Sequence, residues 1–136
     1  MLKKCVVPFA VIIAVILIVF VSIAPIFNGY STTFEIYRGD SGSQIQTVDY
    51  KGYVLAGKIK GEAVTIDKQG FDLDKFLRAF RAKIKVMETV GQGVNYYAYS
   101  TKIPYSQRVK GKTVNLQIFM GESTVKVGTP MIYGSF

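Results

Sequence analysis

Two hydrophobic patterns divide the chain. From Val6 to Phe27 there is no alternation, only an unbroken uncharged run of 22 residues, mostly Val, Ile, Ala and Leu. A helix rising about 1.5 Å per residue needs roughly 20 such residues to cross a bilayer, so the run predicts an N-terminal transmembrane helix. Pro8 falls in its first turn, where a missing amide is tolerated, and Pro25 marks its far end. A polar stretch, Asn28–Thr32, follows as a linker. Period-two alternation then governs residues 33–136, with turn residues between the runs. Strands are predicted from Phe34 to Arg38, from Gln44 to Tyr50, from Tyr53 to Lys60 and from Glu62 to Asp67. In a further strand Ile84 and Val86 alternate with Lys83 and Lys85, which gives it one wet face. Gly91-Gln92-Gly93 turns that strand into Val94–Ser100 as a hairpin. Val114, Leu116, Ile118 and Met120 share a face, and Gly121-Glu122 leads into Ser123–Gly128 with Val125 and Val127 inward. Pro130 limits Met131–Tyr133 to an edge or an irregular ending.

One segment breaks the alternation. Leu73, Phe76, Leu77 and Phe80 recur at helical spacing, Asp72 is a suitable N-cap, and Phe71 and Phe76 occupy the positions of a hydrophobic staple. The fold class expected is therefore α+β: an N-terminal transmembrane helix, then an antiparallel β-sheet with one helix packed on one face. The domain division is 1–27 as membrane anchor, 28–32 as linker and 33–136 as an extracytoplasmic α+β domain. Orientation rests on Lys3 and Lys4, the charges that precede the hydrophobic run; they are expected to stay inside and send the C-terminus out. A cleaved signal sequence competes with the anchor, since Ser22 and Ala24 place small residues at the −3 and −1 positions of a cleavage site. Pro25 just after that site, and the length of the run, favour an uncleaved segment.

Charge changes the picture of the domain. Fifteen of the 17 Lys and Arg residues and all 9 acids lie after position 30, a surplus of six positive charges. Such a surplus favours anionic partners: wall polymer, lipid headgroups, an envelope protein or nucleic acid, the last only if the domain has access to it. Cys5 is the one cysteine and precedes the hydrophobic run; histidine is absent. This excludes Ser-His-Asp and Cys-His catalysis in the domain and removes the commonest zinc ligand. No nucleotide motif or metal spacing occurs, so no cofactor and no enzymatic activity are expected, with a carboxylate-dependent wall enzyme as the alternative. The candidate binding residues are cations and aromatics: Lys75, Arg78 and Arg81 on the back of the helix, and Lys83, Lys85, Tyr97 and Tyr99 on the hairpin. Tyr97 and Tyr99 share a strand face, and beside Lys83 and Lys85 they would form a platform for rings with cations for an anionic backbone. Hairpin tyrosines also stabilise strand pairing with no ligand at all, and solvated helix backs are commonly basic. Gly39-Asp40-Ser41-Gly42-Ser43 reads as a hairpin turn, and Phe136 is expected to tuck into the core.

The order of features over residues 72–136 is distinctive. An Asp-capped helix is followed by a strand ending Glu88-Thr89, then Gly93-Val94-Asn95-Tyr96-Tyr97-Ala98-Tyr99-Ser100. After these come Lys112-Thr113-Val114-Asn115-Leu116-Gln117-Ile118 and the terminal Val127-Gly128-Thr129-Pro130-Met131-Ile132-Tyr133-Gly134-Ser135-Phe136. This half of the chain resembles the YwmB-like exported proteins of Bacillota, which are similar in outline to the TATA-box-binding-protein fold. The resemblance implies an exported bacterial domain and carries no catalytic residue onto these positions. DNA binding does not follow from fold outline.

Overall fold

Ile118 and Met120 alternate with Gln117 and Phe119, and Val125 and Val127 alternate with Lys126, so two short strands each present one apolar edge to the same layer. In the computed structural model, which describes residues 3–22, 24–39 and 45–133, they pair antiparallel with Ile118 opposite Val127 and Met120 opposite Val125. Around them is a seven-stranded sheet. In chain order the elements are α1 (Lys3–Ser22), β1 (Thr33–Tyr37), β2 (Ile45–Asp49), α2 (Tyr50–Leu55), β3 (Gly61–Asp67) and α3 (Leu73–Ala79). β4 (Ala82–Val90), β5 (Gly93–Ser100), β6 (Gln107–Val109), β7 (Lys112–Val114), β8 (Leu116–Met120) and β9 (Thr124–Thr129) complete the chain. The strand order is β2-β1-β3-β9-β8-β5-β4, every described pairing in it is antiparallel, and β6-β7 form a separate small ladder.

Alternation sorts the sheet into two faces. One carries Phe34, Val64, Ile66, Ala98, Leu116, Ile118, Val125 and Val127, and packs against Phe76 and Phe80 from α3 and Phe27 from the N-terminal side. The α3 helix forms as expected: the Asp72 carboxylate accepts from the Lys75 amide at 3.1 Å, and the Phe71 and Phe76 rings meet at 5.5 Å. It ends where Arg81 takes φ +49°, a left-handed residue that turns the chain into β4. The opposite face is polar. Asn95 and Gln117 are buried there beneath the C-terminal segment Pro130–Tyr133, whose Ile132 amide donates to Gln117 Oε1 at 2.8 Å. Gly128 makes this close approach possible, because a Cβ there would lie 2.9 Å from the Met131 carbonyl oxygen.

The expected fold class needs correction. The chain is mostly antiparallel β, 46% strand against 20% helix, and among the described residues no helix is long and apolar enough to cross a membrane. The physical reason lies at the end of the expected span. The helix runs from Lys3 only to Ser22, and its first two residues are lysines, which leaves 18 uncharged residues, fewer than the roughly 20 a crossing needs. Ile26 and Phe27 turn away from it: Phe27 is fully buried in the domain core, its ring 6.4 Å from Phe76 and 5.7 Å from Phe80. Tyr30, from the expected linker, also packs on Phe76 at 5.2 Å. Two strand expectations fail too. Tyr53–Lys60 is not a strand, because Asp49 caps a helix by accepting from the Gly52 amide at 2.7 Å, and α2 takes Tyr50–Leu55. Ile84 and Val86 do not share a face, since a register shift between them places Ile84 opposite Ala98 and Val86 opposite Tyr97. The Gly39–Ser43 turn and Phe136 fall on residues 40–44 and 134–136, outside those described.

Candidate anionic-partner surface

Edge strand β4 organises the cations. Its neighbour β5 brings Tyr99 directly opposite Lys83. The β6-β7 hairpin folds over the same side and adds Lys112, so that Lys85, Tyr99, Gly111, Lys112 and Thr113 line a groove of about 440 Å³. On the other side of the strand, α3 and its left-handed exit place Arg78, Arg81 and Lys83 around a second groove of about 460 Å³, beside Asp74 and Leu77. Two basic grooves thus flank one strand. Among the described residues, none of Arg78, Arg81, Lys83, Lys85 or Lys112 has a carboxylate within ion-pair distance. Lys112 had no signal of its own in the sequence; its place depends on the hairpin folding back.

Two of the expected residues sit elsewhere. Tyr97 is only 8% exposed, whereas Tyr99 is 36% exposed. The Tyr97 hydroxyl donates to Glu88 Oε1 at 3.4 Å as part of the polar face. It therefore offers no ring to a ligand, and the paired platform reduces to Tyr99. Lys75 lines a different cleft of about 460 Å³ with Tyr30, Phe71, Asp67 and Asp72. That cleft holds two carboxylates, but each accepts a backbone amide of its own turn, Asp67 from Gln69 at 3.0 Å and Asp72 from Lys75 at 3.1 Å.

The remaining acids are engaged in the fold. Asn95 Nδ2 donates to Glu88 at 3.2 Å, and Gln117 Nε2 donates to Asn95 at 2.9 Å, which continues the chain of bonds to Ile132. Lys110 lies 2.9 Å from Glu88, and the ammonium, with the Asn95 amide, holds that carboxyl below the usual carboxylate range. Lys126 pairs with Glu35 at 2.9 Å. Glu62 is the most unusual acid. It is fully buried on the core side of β3, where it accepts from the amides of Ile26 and Phe27. Burial pushes its pKa up; the Tyr53 side chain and the two amides oppose that shift. Sequence reading missed Glu62, because a single acid at a strand start carries no local mark of burial. Among the described residues no group of three His, Cys, Asp or Glu side chains is placed to hold a metal ion.

No family model matches the chain, and no curated protein or solved structure matches it either.

Proposed function

We propose that the protein is a non-enzymatic binding module of the bacterial envelope that holds an anionic partner on the cations flanking β4. The observation that carries this reading is the concentration of Arg78, Arg81, Lys83, Lys85 and Lys112 around β4 with no ion-pair partner among the described residues, while Lys110 and Lys126 are paired. Clustered exposed cations of one sign raise the local concentration of an anion and speed its capture. The helix α1 supports an envelope location. Phe9, Val11, Ile12, Ile13, Val15, Ile16 and Leu17 are all exposed on it, an apolar patch of the kind that marks contact with a membrane or another protein. In this reading the domain works on the extracytoplasmic side, in keeping with the resemblance of residues 72–136 to YwmB-like exported proteins.

The binding test uses the full chain in neutral detergent micelles with long-chain polyphosphate as the anionic probe. Binding at low salt that weakens steadily as salt is added, and that falls in a Lys85→Glu/Lys112→Glu variant with unchanged melting temperature, is the expected result. No binding at low salt refutes the reading. Location is tested separately with Ser106→Cys in a Cys5→Ser background: a membrane-impermeant thiol reagent labels intact cells if the domain is outside. Labelling only after lysis would place it inside and make nucleic acid or a cytoplasmic protein the partner to seek.

A further inference from the structure

The β4 edge offers more than charge. It is a nine-residue strand whose one ladder partner among the described residues is β5. The direction of its backbone groups follows from that partner. The Ala98 carbonyl accepts from the Asn115 amide at 3.0 Å, on the β8 side, so the backbone groups of Ala98 point away from β4. In an antiparallel strand these directions alternate, and Tyr97 and Asn95 therefore point toward β4. Their partners Val86 and Glu88 point inward to meet them. Met87 and Thr89, lying between, turn both N–H and C=O outward along the sheet edge. Met87 is 65% exposed, and Ile84 and Val90 on the same strand are exposed as well. Unpaired ladder groups of this kind are a template for another strand.

We infer that β4 is a docking edge for an extended acidic polypeptide segment, which adds as a further strand beside Met87 and Thr89. The inference rests on the proposal that this surface takes an anionic partner, and it narrows that partner to a polypeptide. Three features have to be met at once: outward ladder groups, exposed apolar side chains such as Met87 on one face, and a basic groove on the other. A simple polyanion uses only the grooves. A second copy of this chain would bring its own Arg78, Arg81, Lys83, Lys85 and Lys112 to the same edge. A segment alternating acidic and apolar residues meets all three: its backbone pairs with β4, its apolar positions on one face cover Met87, and its carboxylates, all on the opposite face, lie toward the groove of Lys85 and Lys112. The register shift at Lys85 confines regular pairing to Val86–Val90.

The test uses the full chain in neutral detergent and an end-blocked octapeptide alternating Glu and Val. Its comparator is the same peptide N-methylated at two adjacent central residues, which keeps the charge and blocks both edges. The expected result is binding of the first peptide and a loss of about tenfold or more for the second, since several backbone bonds are removed together. Met87→Pro should give a similar loss for the unmethylated peptide. It deletes an outward N–H and leaves the inward bonds of Val86 and Glu88, and an unchanged melting temperature would show that the sheet is intact. Equal binding of the two peptides overturns strand addition while leaving anion binding in place. Binding of polyphosphate but of neither peptide also overturns it, in favour of a non-peptide polymer. Concentration-dependent dimerisation abolished by Met87→Pro overturns it in favour of a second copy. If neither peptide nor polyphosphate binds at low salt, the anionic-partner reading falls and takes this inference with it.

Discussion

Phe27→Ala discriminates between the two places a sequence and a fold assign to one residue. In the uncharged run Phe27 would be the last apolar side chain of a helix in lipid; in the structure it is fully buried between Phe76 and Phe80. Truncating a buried Phe removes its transfer free energy and leaves a cavity, a cost of about 3–5 kcal/mol. For a domain of this size each kcal/mol lowers the melting temperature by about 4 °C or more, which puts the expected fall at about 12 °C at least. The assay is thermal unfolding of the full chain in neutral detergent, followed by near-ultraviolet circular dichroism of the tyrosines. Leu17→Ala serves as the comparison: that side chain is 59% exposed on α1, and its loss should leave the domain's transition in place. Equal transitions for Phe27→Ala and the unaltered chain would refute the argument that the domain begins before the polar stretch at Asn28.

Three further substitutions test other parts of the structure. Because burial raises the Glu62 pKa above its ordinary 4.5, the folded protein holds a proton that the unfolded chain releases. Its contribution is therefore fully present below that ordinary value and is lost as pH rises through the raised one. Glu62→Gln keeps an acceptor for the Ile26 and Phe27 amides and cannot ionise; its melting temperature relative to the unaltered chain should climb from pH 4 to pH 8, and a constant difference would refute the assignment. Asn115 is buried and bridges the Ser100 amide, the Ser100 carbonyl and the Ile103 carbonyl at 2.7, 2.8 and 3.1 Å. Asn115→Ala leaves these groups unsatisfied and should cost about 3 kcal/mol or more in denaturant unfolding; a loss within error would show that water replaces the side chain. Gly128→Ala pushes a methyl group toward the Met131 carbonyl and the Ile132 side chain. It should destabilise the domain by about 1–3 kcal/mol and raise hydrogen exchange at the Ile132 amide, whereas unchanged exchange would mean that the C-terminal segment yields without strain.

What the sequence discloses depends on whether the cause is local. The α3 helix was legible because its cap, its staple and its apolar face all lie within ten residues, and β9 was legible because Val125 and Val127 alternate with Thr124 and Lys126. The α2 helix was hidden by its own composition: Tyr50, Tyr53 and Val54 favour strand, and the single mark of a helix was Asp49 in the capping position. The bulge at Lys85 left an alternating pattern intact on paper while reversing the face of the β4 residues after it, which is why Val86 lies over the polar side with Tyr97. The candidate site was half visible. Arg78, Arg81, Lys83, Lys85 and Tyr99 lie around β4, but Lys112 arrives through a hairpin that no local pattern aims. Tyr97 was lost to Glu88 for the complementary reason, since a partner nine positions away leaves no trace in alternation.

The basic edge is sharper than the composition alone would make it, and the fold is the reason. Of the nine acids, Asp49 and Asp72 cap helices, Asp67 closes a turn, Glu35 and Glu88 pair with Lys126 and Lys110, and Glu62 is buried against the start of the domain. Each of these roles buries a carboxylate or fixes it to a backbone amide or an ammonium. Asp74 and Glu122 remain exposed among the described acids, and Asp74 lies on one of the two grooves. The cations have fewer such duties. Lys68 and Lys102 donate to the carbonyls of Gly121 and Ala79, but Arg78, Arg81, Lys83, Lys85 and Lys112 are left around a single strand. Edge strands are commonly protected from unwanted pairing by lysines and a bulge, and β4 has both. The same devices admit one class of strand that neutral or basic segments do not match: an extended segment whose carboxylates answer the lysines and which pairs beyond the bulge, along Val86–Val90. Protection of the edge and selection of an acidic partner are then one property of β4, set by where the fold leaves its charges.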